Sequence, residues 1–450
     1  MEVLRKIGNS YAARRQQDHP VLCNWSIALV IPTPRCAKIQ RFNLMKIPLR
    51  SFCAKPVCAI IPEDLHHYGS TSNLDKMEQN VLLRKGSNNI PVIRELIKKL
   101  DMKNDSDVAK LKGELSKLPN LTHPRIVNYG DEPKELEQFS PSDSFPTHAT
   151  EFSEVAKYMN IFRMDHLGNY TGHKSYYLFG KLAELEQAIK EYTVQQLLQN
   201  NFSLISVPDI LPKEVIEGCG MNTDGERTQV YKLDSGLCLS GTSEMALAGF
   251  FENQVLEEKQ LPIKVAAVSR CYRAETSGLN EEKGIYRVHQ FTKVEMFAIC
   301  AESQSEDVLE LFKDLQLENF KKLNLKIRLL DMPPSELGAP AYQKYDIEAW
   351  MPGRKVWGEI SSSSNCTDYQ AKRLNIRYKT DKGETKFAHT VNGTAAAIPR
   401  LLIAILESNQ VDKNSIEIPN VLGEYMKNCS ITKDKLIPEI KLLKHLKHDI

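Results

Sequence analysis

No apolar run in the chain approaches the ~20 residues needed to cross a bilayer; the run Trp25 to Pro32 is too brief. No two of the ten cysteines are spaced C-x-x-C, which argues against a zinc ribbon or a disulfide scaffold and for a reducing compartment. Net charge is only +2 over 450 residues. No global basic field announces nucleic acid, so any RNA contact must rest on local patches. Neither G-x-x-x-x-G-K-S/T nor a G-x-G-x-x-G after a strand-like run occurs, so a nucleotide site here is neither P-loop nor Rossmann type. Acids are nearly missing up to about Pro56. There, only Glu2 and Asp18 oppose Arg5, Lys6, Arg14, Arg15, Arg35, Lys38, Arg41, Lys46, Arg50 and Lys55. Such a leader, residues 1–56, reads as a mitochondrial transit peptide, with a basic RNA-contacting tail as the alternative.

The rest of the chain has an ordinary globular composition. Residues 57–124 read as a short helical region. Val92, Ile93, Leu96, Ile97 and Leu100 keep helical spacing, and Asn104-Asp-Ser-Asp107 can cap a second helix through Val108, Leu111, Leu115 and Leu118. Residues 125–175 read as connecting structure, followed by a helix over Tyr176–Gln199 and a strand over Phe202–Leu211 broken by Pro208. Further strands are expected at Val265–Tyr272, Tyr286–Ile299, Lys326–Leu330, Lys344–Trp350 and Ile376–Tyr378, with helices at Ser303–Leu323 and Thr394–Glu407. Strand runs interspersed with helices fit an α+β domain on a mainly antiparallel sheet. The Lys-rich end, residues 411–450, reads as a solvated amphipathic tail.

The segment Cys271 to Phe297 carries chemistry. It enters through Arg273 and Glu275, passes a polar Gly-containing loop, and returns through Arg287, His289, Phe291, Lys293 and Glu295. Alternation puts these last five on one strand face. A hydrophobic core does not accept two cations, an imidazole, a ring and a carboxylate together. A nucleotide site uses such groups; a solvated hairpin laced with ion pairs is the other reading.

Two more segments accompany it: Trp357-Gly-Glu-Ile-Ser-Ser-Ser-Ser-Asn-Cys-Thr-Asp-Tyr-Gln-Ala-Lys-Arg373 and His389-Thr-Val-Asn-Gly-Thr-Ala-Ala-Ala-Ile-Pro-Arg-Leu-Leu402. With the hairpin they resemble the signature motifs of class II aminoacyl-tRNA synthetases, and more specifically of the seryl-tRNA synthetase family in its mitochondrial branch. Thr242-Ser243-Glu244, Tyr345 to Gly353 and Leu118-Pro-Asn-Leu-Thr-His-Pro124 read like the same family. The resemblance runs from about Leu118 to about Gln410. It implies a catalytic domain over 125–410, a homodimer, and ATP, Mg2+, serine and tRNA(Ser) as ligands. It also implies a place in the mitochondrial matrix and no membrane association.

By that resemblance Arg273, Glu359 and Arg400 are catalytic. Arg273 would bridge the α-phosphate and the serine carboxylate, as a guanidinium fork suits both. Glu275 would hold the adenine amino group and Phe291 would stack on the ring, with Arg287 and Val288 beside the nucleotide. Arg400 would cover the other face and reach the γ-phosphate. Glu359 and Ser362 would hold Mg2+ through hard oxygens. Thr242 and Glu244 would receive the serine ammonium, and Glu295 and Thr394 its hydroxyl, with Asn392 nearby. No Cys/His cluster has ligand spacing, which argues against a zinc-dependent amino-acid site. The sequence departs from the family at Lys283, Lys372 and Ala395, and most of all in its helical arm. That arm has too few heptads for the family's long coiled coil. The shortened arm also supports a second reading, a catalytically silent paralogue that binds RNA or a synthetase partner.

Overall fold

The computed structural model describes residues 71–99, 104–141, 146, 149–164, 174–225, 228–275, 284–426, 430–433 and 435. The basic leader, the loop containing Lys283, and the Lys441–His448 stretch lie outside the described residues. No helix among the described residues is long and apolar enough to cross a membrane.

Eight strands form the central sheet: β1 (Lys134–Phe139), β2 (Ser203–Leu204), β3 (Ile263–Tyr272), β4 (Gln290–Cys300), β5 (Ile327–Asp331), β6 (Gln343–Met351), β7 (Val356–Thr367) and β8 (His389–Ala397). Their spatial order is β1-β5-β6-β7-β8-β4-β3-β2. Every pairing is antiparallel except β2 with β3. The helices are α1 (Thr71–Leu83), α2 (Ile90–Lys98), α3 (Asp105–Ser116), α4 (Phe152–Tyr158), α5 (Gly180–Gln199), α6 (Lys213–Gly218), α7 (Ser243–Phe250), α8 (Ser305–Lys322), α9 (Tyr369–Leu374) and α10 (Ile398–Ser408).

Strand parity divides the interior. Val294, Met296, Ala298 and Cys300 of β4 enter one core, with Leu185 and Ile189 of α5, Phe312 of α8 and Leu402 of α10. Phe297 and Ile299 enter a second core on the opposite face, with Met245 and Leu247 of α7 and Leu374 of α9. Each fully buried Leu, Ile or Phe contributes ~1.5–3 kcal/mol, so the register of β4 is fixed from both sides. Followed backwards, the odd face runs through Glu295, Lys293 and Phe291. The core therefore sets which side chains of this strand are left for a site.

Several local expectations need correction. Thr394-Ala-Ala-Ala397 has helical propensity, yet it completes β8, with Thr394 opposite Glu295 and Ala397 opposite Lys293. Helix α10 starts only at Ile398, with Pro399 in its first turn, where no N–H is needed. The Ser-rich run after Glu359, to which no element was assigned from the sequence, lies in β7, the longest strand of the sheet. The 125–175 segment contains β1 and α4, and Tyr177–Leu178 pairs with Phe162–Arg163 instead of opening α5. The 202–211 run is interrupted, leaving β2 and a separate strand Ile210–Pro212. Among the described residues the 57–124 region holds three helices, not two, and Asn104 caps α3 by accepting from Ser106 N–H at 3.0 Å.

Candidate active site

The cleft opens where β4, β6, β7 and β8 leave polar side chains on one face. Two β-bulges help to aim them, one beside Thr394 in β8 and one beside Glu359 where β7 meets β6. All thirteen site residues named from the sequence line this single cleft of about 430 Å3, a size suited to a small ligand. His289 is the exception to the expected strand face. It precedes β4, where alternation does not yet hold, and its Nδ1 sits 2.6 Å from the Tyr231 hydroxyl and 3.0 Å from the Arg273 carbonyl.

One end of the cleft is built from carboxylates. Thr242 caps α7, its hydroxyl accepting from Glu244 N–H at 3.4 Å. Glu244 accepts from Gln370 Nε2 at 2.6 Å, and Gln370 in turn accepts from the Thr390 hydroxyl at 2.8 Å. Burial and the nearby Glu295 charge raise the Glu244 carboxyl above its ordinary value. Glu295 is itself buried and pairs with Lys293 at 2.5 Å. The Thr394 hydroxyl donates to Glu295 at 3.4 Å. Asn392 and Ser364 face each other in register across β8 and β7. A compact ammonium with a hydroxyl finds at this end two carboxylates and the polar groups that orient them.

The other end is cationic and aromatic. The Arg273 guanidinium lies over the Phe291 ring, 5.4 Å from its centroid, and its Nε donates to the Gly241 carbonyl at 3.3 Å. Arg287 approaches buried Glu275 at 3.8 Å. Arg400 reaches Glu359 at 3.3 Å and stacks over Tyr286 at 4.6 Å. Burial would raise the Glu359 carboxyl, but Arg400, Lys344 and Arg273 outweigh it and hold it at about 2. Glu359 is thus an anion at neutral pH, with 39% of its side chain exposed to the cleft. Ser362 lies on the next stretch of β7, opposite Asp346 of β6. Asp346 Oδ2 pairs with Lys344 at 2.7 Å, whereas Oδ1 is buried without a hydrogen-bond partner. Three arginines and a ring suit a polyanion attached to a flat base, and hard oxygens beside it suit a divalent cation.

Sequence reasoning missed several contributors. Lys344 lines the cleft, but it sits outside the three signature segments. Gln370 lies within the quoted Ser-rich segment, yet no role was assigned to it from the sequence. Gln316 of α8 donates to the Ser362 and Thr394 carbonyls at 3.0 and 2.9 Å, bracing β7 against β8 at the bulge. A buried Gln on an amphipathic helix was the available signal for it.

Residues 229–409 match a family model described as the tRNA synthetase class II core domain (G, H, P, S and T). A mitochondrial serine–tRNA ligase of Bos taurus is 44% identical over 330 residues, covering 72% of this chain and 64% of that protein. The chain thus spans less than two thirds of the length of that relative. A serine–tRNA ligase of Treponema denticola is 37% identical over 339 residues, covering 74% of this chain and 80% of that protein. Among solved structures, seryl-tRNA synthetase from Pyrococcus horikoshii complexed with ATP superposes with a TM-score of 0.71 at 28% identity, over 83% of this chain and 90% of that one.

Proposed function

Since the chain belongs to the serine–tRNA ligase family, we propose that it activates serine with ATP and transfers the seryl group to the 3′ end of mitochondrial tRNA(Ser). In the first step the serine carboxylate attacks the α-phosphate and pyrophosphate leaves. In the second, the terminal ribose hydroxyl of the tRNA takes the seryl group from the adenylate. Both steps need positioning and charge stabilisation more than a protein nucleophile.

In this reading Glu244 and Thr242 bind the ammonium. Glu295 and Thr394 bind the hydroxyl, with Asn392 beside them. A buried carboxylate awaiting a hydroxyl donor rejects alanine, because alanine leaves it unpaired. Arg273 spans the serine carboxylate and the α-phosphate. Phe291, Glu275, Arg287 and Val288 hold the adenosine, and Arg400 the terminal phosphate. Ionised Glu359, partly open to the cleft, and the Ser362 hydroxyl, which lines it, fit Mg2+. When bound, the metal would neutralise charge on the phosphates.

The observation that carries the proposal is the convergence of thirteen residues from dispersed segments on one cleft, with Glu244 and Glu295 at one end and three arginines and a ring at the other. It favours an active enzyme over a silent paralogue, which has no use for that arrangement. The basic leader and the mitochondrial relative support import into the matrix. We read residues 57–124 as a reduced tRNA-contacting arm, 125–410 as the catalytic domain of a homodimer, and 411–450 as a basic tail. The test is serine-dependent ATP–pyrophosphate exchange by the purified chain, with alanine and threonine as controls. Exchange with serine alone is expected. Its absence in a folded preparation moves the assignment to the silent paralogue.

A further inference from the structure

The phrase Leu118-Pro-Asn-Leu-Thr-His-Pro124 takes no part in the chemistry above, yet it is stitched to the cleft. The Asn120 side-chain amide nitrogen lies 2.8 Å from the Pro340 carbonyl and 2.9 Å from the Cys366 carbonyl. Its backbone N–H donates to the Ala339 carbonyl at 2.8 Å. Its own carbonyl accepts from Arg84 at 2.9 Å and from Asn80 at 3.0 Å, both on or just after α1. Arg84 is only 6% exposed. Its guanidinium also donates to Gly338 at 2.6 Å and to Ala341 at 3.0 Å. These acceptors are backbone carbonyls, and burial without a carboxylate partner pushes the guanidinium down to about 10, still charged at neutral pH. A planar fork with five donors can serve several carbonyls at once; a lysine ammonium cannot.

The other side of the pinned segment forms a wall of the cleft, from Gly338 to Ala341. It stands at the carboxylate end. Cys366 and Cys219, which also line the cleft, both feel the Glu244 charge. The fit is close: a Cβ on Gly220, at φ +92°, would come within 2.9 Å of Pro340 Cδ. A buried cation whose donors are divided between the carbonyls of this loop and those of Asn120 and Leu121 ties the two segments together.

We infer that Arg84 and Asn120 are positioning residues of the amino-acid pocket. They fix residues 338–341 as the wall that limits the side chain the pocket admits, and so tie its shape to the N-terminal helices. The identity of the occupant, serine, rests on the function proposed above; the pinning of the wall does not.

The test uses the full chain with Arg84→Lys and, separately, the milder Asn120→Ala. Hydrogen–deuterium exchange of the 337–341 segment is expected to quicken in both variants while β4 and β8 stay protected. In pyrophosphate exchange, KM for serine should rise about tenfold, the loss of roughly one good hydrogen bond. KM for ATP should stay unchanged and rejection of threonine should weaken. Unchanged exchange of the segment in folded variants overturns the inference, as does a parallel rise in both KM values. Absence of any serine-dependent activity in the unmodified chain instead overturns the serine assignment, and the hydrogen-exchange result then decides the pinning by itself.

Discussion

Arg400 and Glu359 face each other across the cleft, the Arg400 Nη1 3.3 Å from the Glu359 carboxylate and 3.0 Å from its carbonyl oxygen. Position in the fold explains why neither residue is spare. Arg400 is the third residue of α10, and Glu359 sits beside a bulge in β7. The ring of Tyr286 supports the guanidinium from one face. The pair keeps Glu359 ionised and keeps the guanidinium plane aimed into the cleft.

Replacing Arg400 by Ala should lower kcat/KM for ATP about 100-fold or more in pyrophosphate exchange, the cost of losing one oriented charge donor. Arg400→Lys should recover only part, since the ammonium lacks the fork. Glu359→Gln should raise the Mg2+ concentration needed for half-maximal exchange. Wild-type ATP kinetics in Arg400→Ala would remove this residue from the phosphate site.

Acidification should weaken serine capture through Glu244. Burial, and next the Glu295 charge, raise its carboxyl above the ordinary value. In the free enzyme it therefore takes up a proton earlier as pH falls, and the attraction for an ammonium is lost. The acid limb of kcat/KM for serine should lie above the usual carboxylate range, and that of kcat lower, because bound ammonium favours the charged form. The sign for stability is opposite to that of a paired surface acid. The folded state holds this proton to higher pH than the unfolded one, so the contribution to stability falls as pH rises between the two values. Glu244→Gln should flatten the acid limb; an identical limb in that variant assigns it to another group.

Lys293 and Glu295 form a pair in which both side chains are buried, 8% and 3% exposed. Glu295→Ala leaves a buried ammonium unpaired and should cost about 3–5 kcal/mol in urea unfolding, besides abolishing serine activation. The double variant Lys293→Met/Glu295→Leu should be more stable than Glu295→Ala, though inactive. Equal urea midpoints for Glu295→Ala and the parent chain would show that the pair has no structural role.

Gly353 lies against backbone, where a Cβ would come within 2.6 Å of the Thr150 carbonyl oxygen and 2.8 Å of Glu151 Cα. Its N–H donates to Glu407 of α10 at 2.9 Å. Gly353→Ala should destabilise by about 1–3 kcal/mol, since neither neighbour is a flexible side chain. Gly113, inside α3 with no atom within 4 Å of its Cβ position, makes the opposite case. Gly113→Ala should stabilise by about 0.4–1 kcal/mol. Denaturant unfolding of the two variants side by side checks both signs.

Strand periodicity in the sequence made the antiparallel α+β architecture legible, and thirteen residues that line the cleft were named from motifs that resemble those of the seryl-tRNA synthetase family. Phe291, Lys293 and Glu295 could be put on one face by counting in twos. Tertiary pairing decided the rest. The Ala run at 395–397 is strand because β4 lies beside it and offers Val294 and Lys293 as partners, and such tertiary pairing overrides even alanine's high helical propensity. His289 leaves the shared face because regular pairing begins only at Gln290. Lys344 reaches the cleft because β6 packs beside β7, and Arg84 reaches the 338–341 wall of the cleft across a separation of 254 residues to Gly338. No local pattern reports such contacts: they exist only once burial of two cores has fixed the register of the sheet between them.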